Sequence, residues 1–95
     1  MKYILRPGVV RTSVCRIPFL IPDREAWEHC PYVQSISLPG AALIACIQNG
    51  ESFDKAYNVC RILTRRTPEE ARRSIDELAA SLCEKGFLIA VEDET

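Results

Sequence analysis

The chain has 95 residues, of which 47% are hydrophobic and 26% charged, and its formal net charge is −1. That length supports one domain with a single core, and the near-neutral balance provides no overall field to attract nucleic acid. The longest wholly apolar run, Ala41 to Ile47, is far short of the ~20 residues that cross a bilayer, and Tyr3-Ile4-Leu5 is too short for a signal-peptide core. The expectation is one domain over residues 1–95, soluble and cytoplasmic, with no membrane partner.

Val9 to Val14 is rich in β-branched residues, and a second apolar run, Ile17 to Ile21, follows after only Cys15-Arg16. Two such runs separated by two residues predict a hairpin, although Cys-Arg is poor chemistry for a primed turn. Pro18 inside the second run implies an edge position or a bulge, because proline cannot donate to a ladder. Pro22 to Pro31 interrupts the strands, and Asp23 is placed to cap one helical turn through Glu25 to Glu28. A third strand is predicted over Tyr32 to Leu38, with Val33, Ser35 and Ser37 on one face and Gln34, Ile36 and Leu38 on the other. It is less apolar than a doubly covered strand, which marks it as an edge.

Three helices follow. Pro39 suits a first helical position, and Leu43, Ile44 and Ile47 form an apolar stripe that stops at Asn49-Gly50. Ser52 is predicted to cap the second helix, whose face is Phe53, Ala56, Tyr57, Cys60 and Leu63. Thr67-Pro68-Glu69-Glu70 reads as a capping box opening the third. Ala71, Ile75, Leu78 and Leu82 are its core face, and Gly86 supplies a left-handed stop. Phe87 to Val91 is a short closing strand or wing. Strands first and helices after predict an α+β fold, a winged helix-turn-helix with three N-terminal antiparallel strands and three helices.

The catalytic inventory is thin. The chain has one histidine, His29, and its neighbour Cys30 is badly placed to face it as nucleophile to base. The five cysteines have neither disulfide-framework nor zinc spacing. Cys46, Cys60 and Cys83 read instead as buried thiols on helix faces. No catalytic residue, metal ligand or cofactor site is predicted, and the chain is not expected to be an enzyme. Arg65, Arg66, Arg72 and Arg73 surround the start of the third helix and raise the alternative of a winged-helix DNA-binding regulator. Glu69 and Glu70 in the same turn, and the acidic tail Glu92-Asp93-Glu94, have the wrong sign for phosphate contact.

Peptide binding fits the remaining features better. An exposed sheet edge can take an extended peptide as a further strand, and Arg72, Asp76, Ala79 and Cys83 form a stripe flanking the core face of the third helix. Packed beside the third strand, that stripe makes a groove wall; equally, Ala79 and Cys83 can be the margin of the core.

Several segments resemble PqqD-like proteins, the leader-peptide recognition domains of peptide-modifying pathways. They are Leu5-Arg6-Pro7-Gly8 before the hairpin, Glu28-His29-Cys30-Pro31-Tyr32-Val33, Ile36-Ser37-Leu38-Pro39-Gly40-Ala41, and Leu82-Cys83-Glu84-Lys85-Gly86-Phe87-Leu88, in order from about Leu5 to Ile89. The resemblance implies a winged-helix domain without a cofactor. Its partners would be the leader of a ribosomally made precursor and a modifying enzyme, often a radical S-adenosylmethionine protein. It points to Val33, Gln34, Ser35, Ile36 and Ser37 as the pairing strand and to Arg72, Asp76, Ala79 and Cys83 as the wall. The chain departs from the family at Leu38-Pro39, where polar capping residues are usual, and at Ala79, where a larger apolar residue is common.

Overall fold

The computed structural model describes residues 2–30 and 32–91. In chain order the elements are β1 (Lys2–Leu5), β2 (Val9–Val14), β3 (Ile17–Pro22), a 3-10 turn (Arg24–Glu28), β4 (Gln34–Ser35), α1 (Leu38–Asn49), α2 (Asp54–Thr64), α3 (Pro68–Glu84) and β5 (Leu88–Val91). The fold is α+β, with two antiparallel sheets, β1-β5 and β2-β3-β4. The element order differs from the expected three strands followed by three helices. β1 is an additional strand, and β5 pairs with it from Lys2↔Val91 to Leu5↔Leu88. The closing strand therefore joins the start of the chain instead of projecting as a wing. Four residues beside a Pro-Gly turn carry too little periodicity to announce β1 as a strand. The acidic tail weighed against DNA binding, Glu92-Asp93-Glu94, lies outside the described residues.

β2 and β3 form the two-residue hairpin, and both turn residues lie in the left-handed region, Cys15 at φ 53° and Arg16 at φ 67°. The primed turn forms without its favoured Asn-Gly chemistry because the strand register, Val14↔Ile17 through Val9↔Pro22, demands it. β3 is the middle strand, so Pro18 is not on an edge.

The core gathers Leu20 from β3, Leu43 and Ile44 from α1, Ile75 and Leu82 from α3, and Phe87 and Leu88 beyond it, all essentially inaccessible. Cys30, Cys46 and Cys60 are buried, Cys83 is half-buried and Cys15 is exposed at the hairpin turn. The Cys30 thiol donates to Ala26 O at 3.1 Å, and burial pushes its pKa up despite nearby Arg6. His29 is exposed.

The helix ends follow their local chemistry. Ser37 caps α1, its hydroxyl accepting from Gly40 N at 3.2 Å, so α1 starts one residue before Pro39 and Ser37 is a cap, not a strand residue. Gly50 ends α1 in the left-handed region. Thr67 caps α3, accepting from Glu70 N at 3.2 Å and donating to Glu70 Oε1 at 2.9 Å. Ser52 does not cap α2; the cap position is Phe53, and Ser52 donates to the Asp54 carboxylate at 3.1 Å. Leu63, expected on the buried face of α2, is exposed. Among the described residues no helix is long and apolar enough to cross a membrane.

Candidate functional site: an open sheet edge beside the third helix

The edge of interest is β4, and its main-chain geometry follows from the hairpin. A two-residue turn makes Val14–Ile17 a hydrogen-bonded pair, and such pairs alternate along an antiparallel ladder. The bond from Asp23 N to Gly8 O, 2.8 Å, falls in phase six residues further on. Phe19 accordingly spends its N–H and C=O on Thr12, while Pro18, Leu20 and Pro22 face β4. Ser35 stands opposite Phe19, so its own N–H and C=O point away from β3, toward the open edge.

The two prolines also explain why β4 has two residues where a strand over Tyr32 to Leu38 was expected. Ile36 N donates to Pro18 O at 2.9 Å, but Pro18 has no N–H to return. Pro22 is equally unable to donate at the other end. Only Leu20↔Gln34 can form a complete hydrogen-bonded pair. Val33 and Ile36 fall outside the strand, with Val33 exposed and Ile36 buried, and Ser37 is the cap of α1.

α3 approaches this edge at two points. Leu78 Cδ2 and Ile36 Cβ come within 3.3 Å and 3.4 Å of where a Cβ on Gly40 would sit, so α1, α3 and the end of β4 meet at a residue without a side chain. Further on, Lys85 Nζ donates to Gln34 Oε1 at 3.4 Å. The Tyr32 hydroxyl donates to Lys85 O at 3.3 Å, and the Tyr32 ring stands edge-on to Phe87 at 5.7 Å. From Leu78 to Lys85 the helix rises about 10 Å, close to the span from Ile36 to Val33 in an extended chain. The two run antiparallel. Gln34 Nε2 donates to Ser35 O at 2.8 Å, which ties the outward carbonyl through Gln34 to Lys85.

The wall beside β4 is not the stripe expected from the sequence. Arg72 and Asp76 lie on the opposite flank of α3, facing α2. The Tyr57 hydroxyl donates to Asp76 Oδ1 at 3.0 Å, and the Arg72 guanidinium carbon sits 5.2 Å from the Tyr57 ring centre. Burial first, and then the bond to Asp76, raise the Tyr57 pKa. Ala79 is wholly buried and Cys83 is half-buried against the core. On the helix wheel the β4 flank is instead Leu78, Ser81 and Lys85. Periodicity names both margins of a buried face; which margin meets which neighbour depends on how the helix is packed.

A hollow of about 670 Å³ is lined by Glu69, Arg72, Arg73, Asp76 and Glu77 with Pro68 and Ala80. All belong to α3, so it is a space between long side chains on one convex helix, not a ligand pocket. Among the described residues no three metal-ligating side chains converge.

Comparison with family models, curated proteins and solved structures finds no match to this chain.

Proposed function

We propose that this domain binds an extended peptide, the leader segment of a ribosomally made precursor, by strand addition to β4. It would then present that peptide to a modifying enzyme of the radical S-adenosylmethionine class. The observation that carries the reading is the main chain of Ser35, turned outward on an open edge with α3 aligned beside it. Strand addition needs unpaired N–H and C=O groups and a wall that limits which side chains fit. The Ser35 N–H offers a donor at the edge, its C=O becomes available when the exposed Gln34 side chain releases it, and the Leu78–Ser81–Lys85 flank supplies the wall. The resemblance to PqqD-like proteins adds the leader peptide and the enzyme partner. On this reading the β2–β3 hairpin and the three helices form a winged helix-turn-helix unit, closed by the β1–β5 ribbon and acting without catalysis or cofactor.

One observation favours DNA instead: Arg61, Arg65, Arg66, Arg72 and Arg73 are exposed around the α2–α3 turn. Against it, Glu69 and Glu70 occupy the first turn of α3, Arg72 is stacked on Tyr57, and Arg66 donates to Ser74 Oγ.

The test is Ser35→Pro. Proline there removes the outward N–H and leaves the Leu20↔Gln34 pair intact, a position where edge strands tolerate it. Peptides selected from a displayed random library on the wild-type chain are expected to lose binding to Ser35→Pro at least tenfold while the variant stays folded. Unchanged binding would falsify strand addition at β4. Duplex DNA that binds the chain more tightly than any selected peptide would favour the regulator.

A further inference from the structure

The sheet that carries β4 has one face in the core and one that the described residues leave largely exposed. Side chains alternate along strands, so Val9, Leu20, Pro22 and Ile36 face inward, and all four are buried. The other face presents Val10, Val14, Ile17, Phe19, Ile21 and Val33. Val10, Val14, Ile17 and Val33 are each 50–55% exposed, and Phe19 and Ile21 are partly so. The remaining side chains of that face, Thr12 and Ser35, carry no charge. An antiparallel sheet with one solvated face normally makes that face polar. Here it is apolar, with roughly 400–500 Å² of apolar surface, in the range of the largest patch on a monomer, which is often functional.

Charge lies in the segments that follow the two ends of the β2–β3 strands and differs in sign. The hairpin turn carries Arg16, exposed. At the other end, about 20 Å away along six-residue strands, segment 23–28 carries Asp23, Glu25 and Glu28 against the single Arg24, and all three carboxylate residues are exposed. Two copies can stack these faces about a twofold axis in one of two ways. An axis along the strands lays turn over turn and sets Arg16 against Arg16. An axis across the strands lays each turn over the partner's 23–28 segment and sets Arg16 against carboxylates.

We infer that the outer face of β2-β3-β4 is a homodimer interface, two sheets stacked face to face with strands reversed and Arg16 of each copy against Asp23 and Glu25 of the other. The absence of charge on the face lets two copies meet without burying an unpaired ion, and the ends select the orientation. The pair buries roughly 800–1,000 Å² in total, below the ~1,200–2,000 Å² of stable interfaces, so it is a dissociating dimer. The outer edge of β4 stays accessible in this arrangement, so the inference stands apart from the peptide reading.

Sedimentation equilibrium from micromolar to millimolar chain tests it. The wild type is expected to pass from one chain mass to two, and Ile17→Lys or Val10→Lys, at opposite ends of the face, to remain single. Arg16→Asp is expected to weaken association several-fold, and Arg16→Asp with Glu25→Arg to restore it, a rescue that a merely structural effect would not give. Cys15, beside Arg16, reports orientation. Reversed strands hold the two Cys15 residues far beyond the ~7 Å limit for a disulfide, so mild oxidation is expected to leave the pair uncrosslinked. A single-chain mass at every concentration overturns the proposal and leaves the face to a different molecule. Rapid Cys15–Cys15 crosslinking, or failure of the charge swap, overturns the reversed arrangement.

Discussion

Ile36 donates its N–H to the carbonyl of Pro18 at 2.9 Å, and Pro18 has nothing to give back. That one-sided bond stops β4 after two residues and releases the chain into the cap of α1. Replacing Pro18 with Val adds the missing donor opposite Ile36 O. A net hydrogen bond contributes about 0.5–1.5 kcal/mol, and losing the stiff proline costs about 0.4–1 kcal/mol. Stability is therefore expected to change little. The readout is hydrogen exchange: residue 18 of the variant is expected to show a protected amide and Ile36 slower exchange, as β4 lengthens. An amide at 18 that exchanges as fast as a loop contradicts this account.

This relationship was readable in the sequence, since Pro18 and Pro22 share one parity of β3 and both deny donors to the same neighbour. The expectation of a strand over Tyr32 to Leu38 considered the third strand's own residues and not the donors available beside it. The helices were more legible because their signals are local. Thr67, Pro68, Gly50 and Gly86 act on their own turns, and the structure has them in those roles, while the Glu70 carboxylate takes the Thr67 hydroxyl instead of closing the box on the Thr67 backbone. The β4 edge was legible from composition, but its wall was not. Arg72 and Asp76 share a helix margin with Ala79 and Cys83, and only packing shows that this margin meets Tyr57 while Leu78 meets Gly40 beside Ile36 and Lys85 meets Gln34.

The cap of α3 is a local device with a measurable contribution. Thr67 Oγ1 accepts from Glu70 N and donates to the Glu70 carboxylate. Thr67→Ala leaves that N–H without its acceptor and is expected to cost about 1 kcal/mol. Urea unfolding is expected to show a lower midpoint with an unchanged slope; an unchanged midpoint would argue that the cap adds nothing.

Gly86 is needed for two reasons at once. Its φ is +94°, and a Cβ there would lie 2.6 Å from His29 O. Gly86→Ala therefore combines left-handed strain with a clash against backbone, at a cost of about 2–4 kcal/mol. Thermal melting is expected to fall well below that of Gly50→Ala, since a Cβ at Gly50 meets nothing within 4 Å. Equal losses would remove the role assigned to the His29 contact.

Tyr57 offers a pH test of the α2–α3 contact. Its pKa is raised above the ordinary 10.0 by burial and by the bond to Asp76. A raised pKa means the protonated phenol is favoured in the fold, so its contribution is complete below pH 10 and lost as pH rises through the folded value. Alkaline titration in the ultraviolet is expected to show a tyrosine ionising above the ordinary 10.0, and Tyr57→Phe is expected to remove it. Asp76→Asn is expected to lower that midpoint while Tyr57 stays partly buried. A late tyrosine that persists in Tyr57→Phe assigns the shift elsewhere.

The two flanks of α3 make opposite predictions for peptide binding. Ala79 is wholly buried, so Ala79→Arg forces a long charged side chain into the core and is expected to unfold the domain. It cannot test the groove. Ser81 is half-buried on the margin that Leu78 and Lys85 turn toward β4. Ser81→Arg can extend toward solvent across the gap an added strand would occupy. It is expected to weaken a library-selected peptide at least tenfold, ~1.4 kcal/mol, with melting close to wild type. Arg72→Ala and Asp76→Ala remove only the contacts to Tyr57 and are expected to leave that affinity unchanged. Amide shift titration gives the spatial readout, with perturbations at Val33, Ser35, Leu78, Ser81 and Lys85. If the shifts gather on Arg72, Asp76 and Tyr57 instead, the peptide lies in the α2–α3 groove, and the open edge of β4 serves something else.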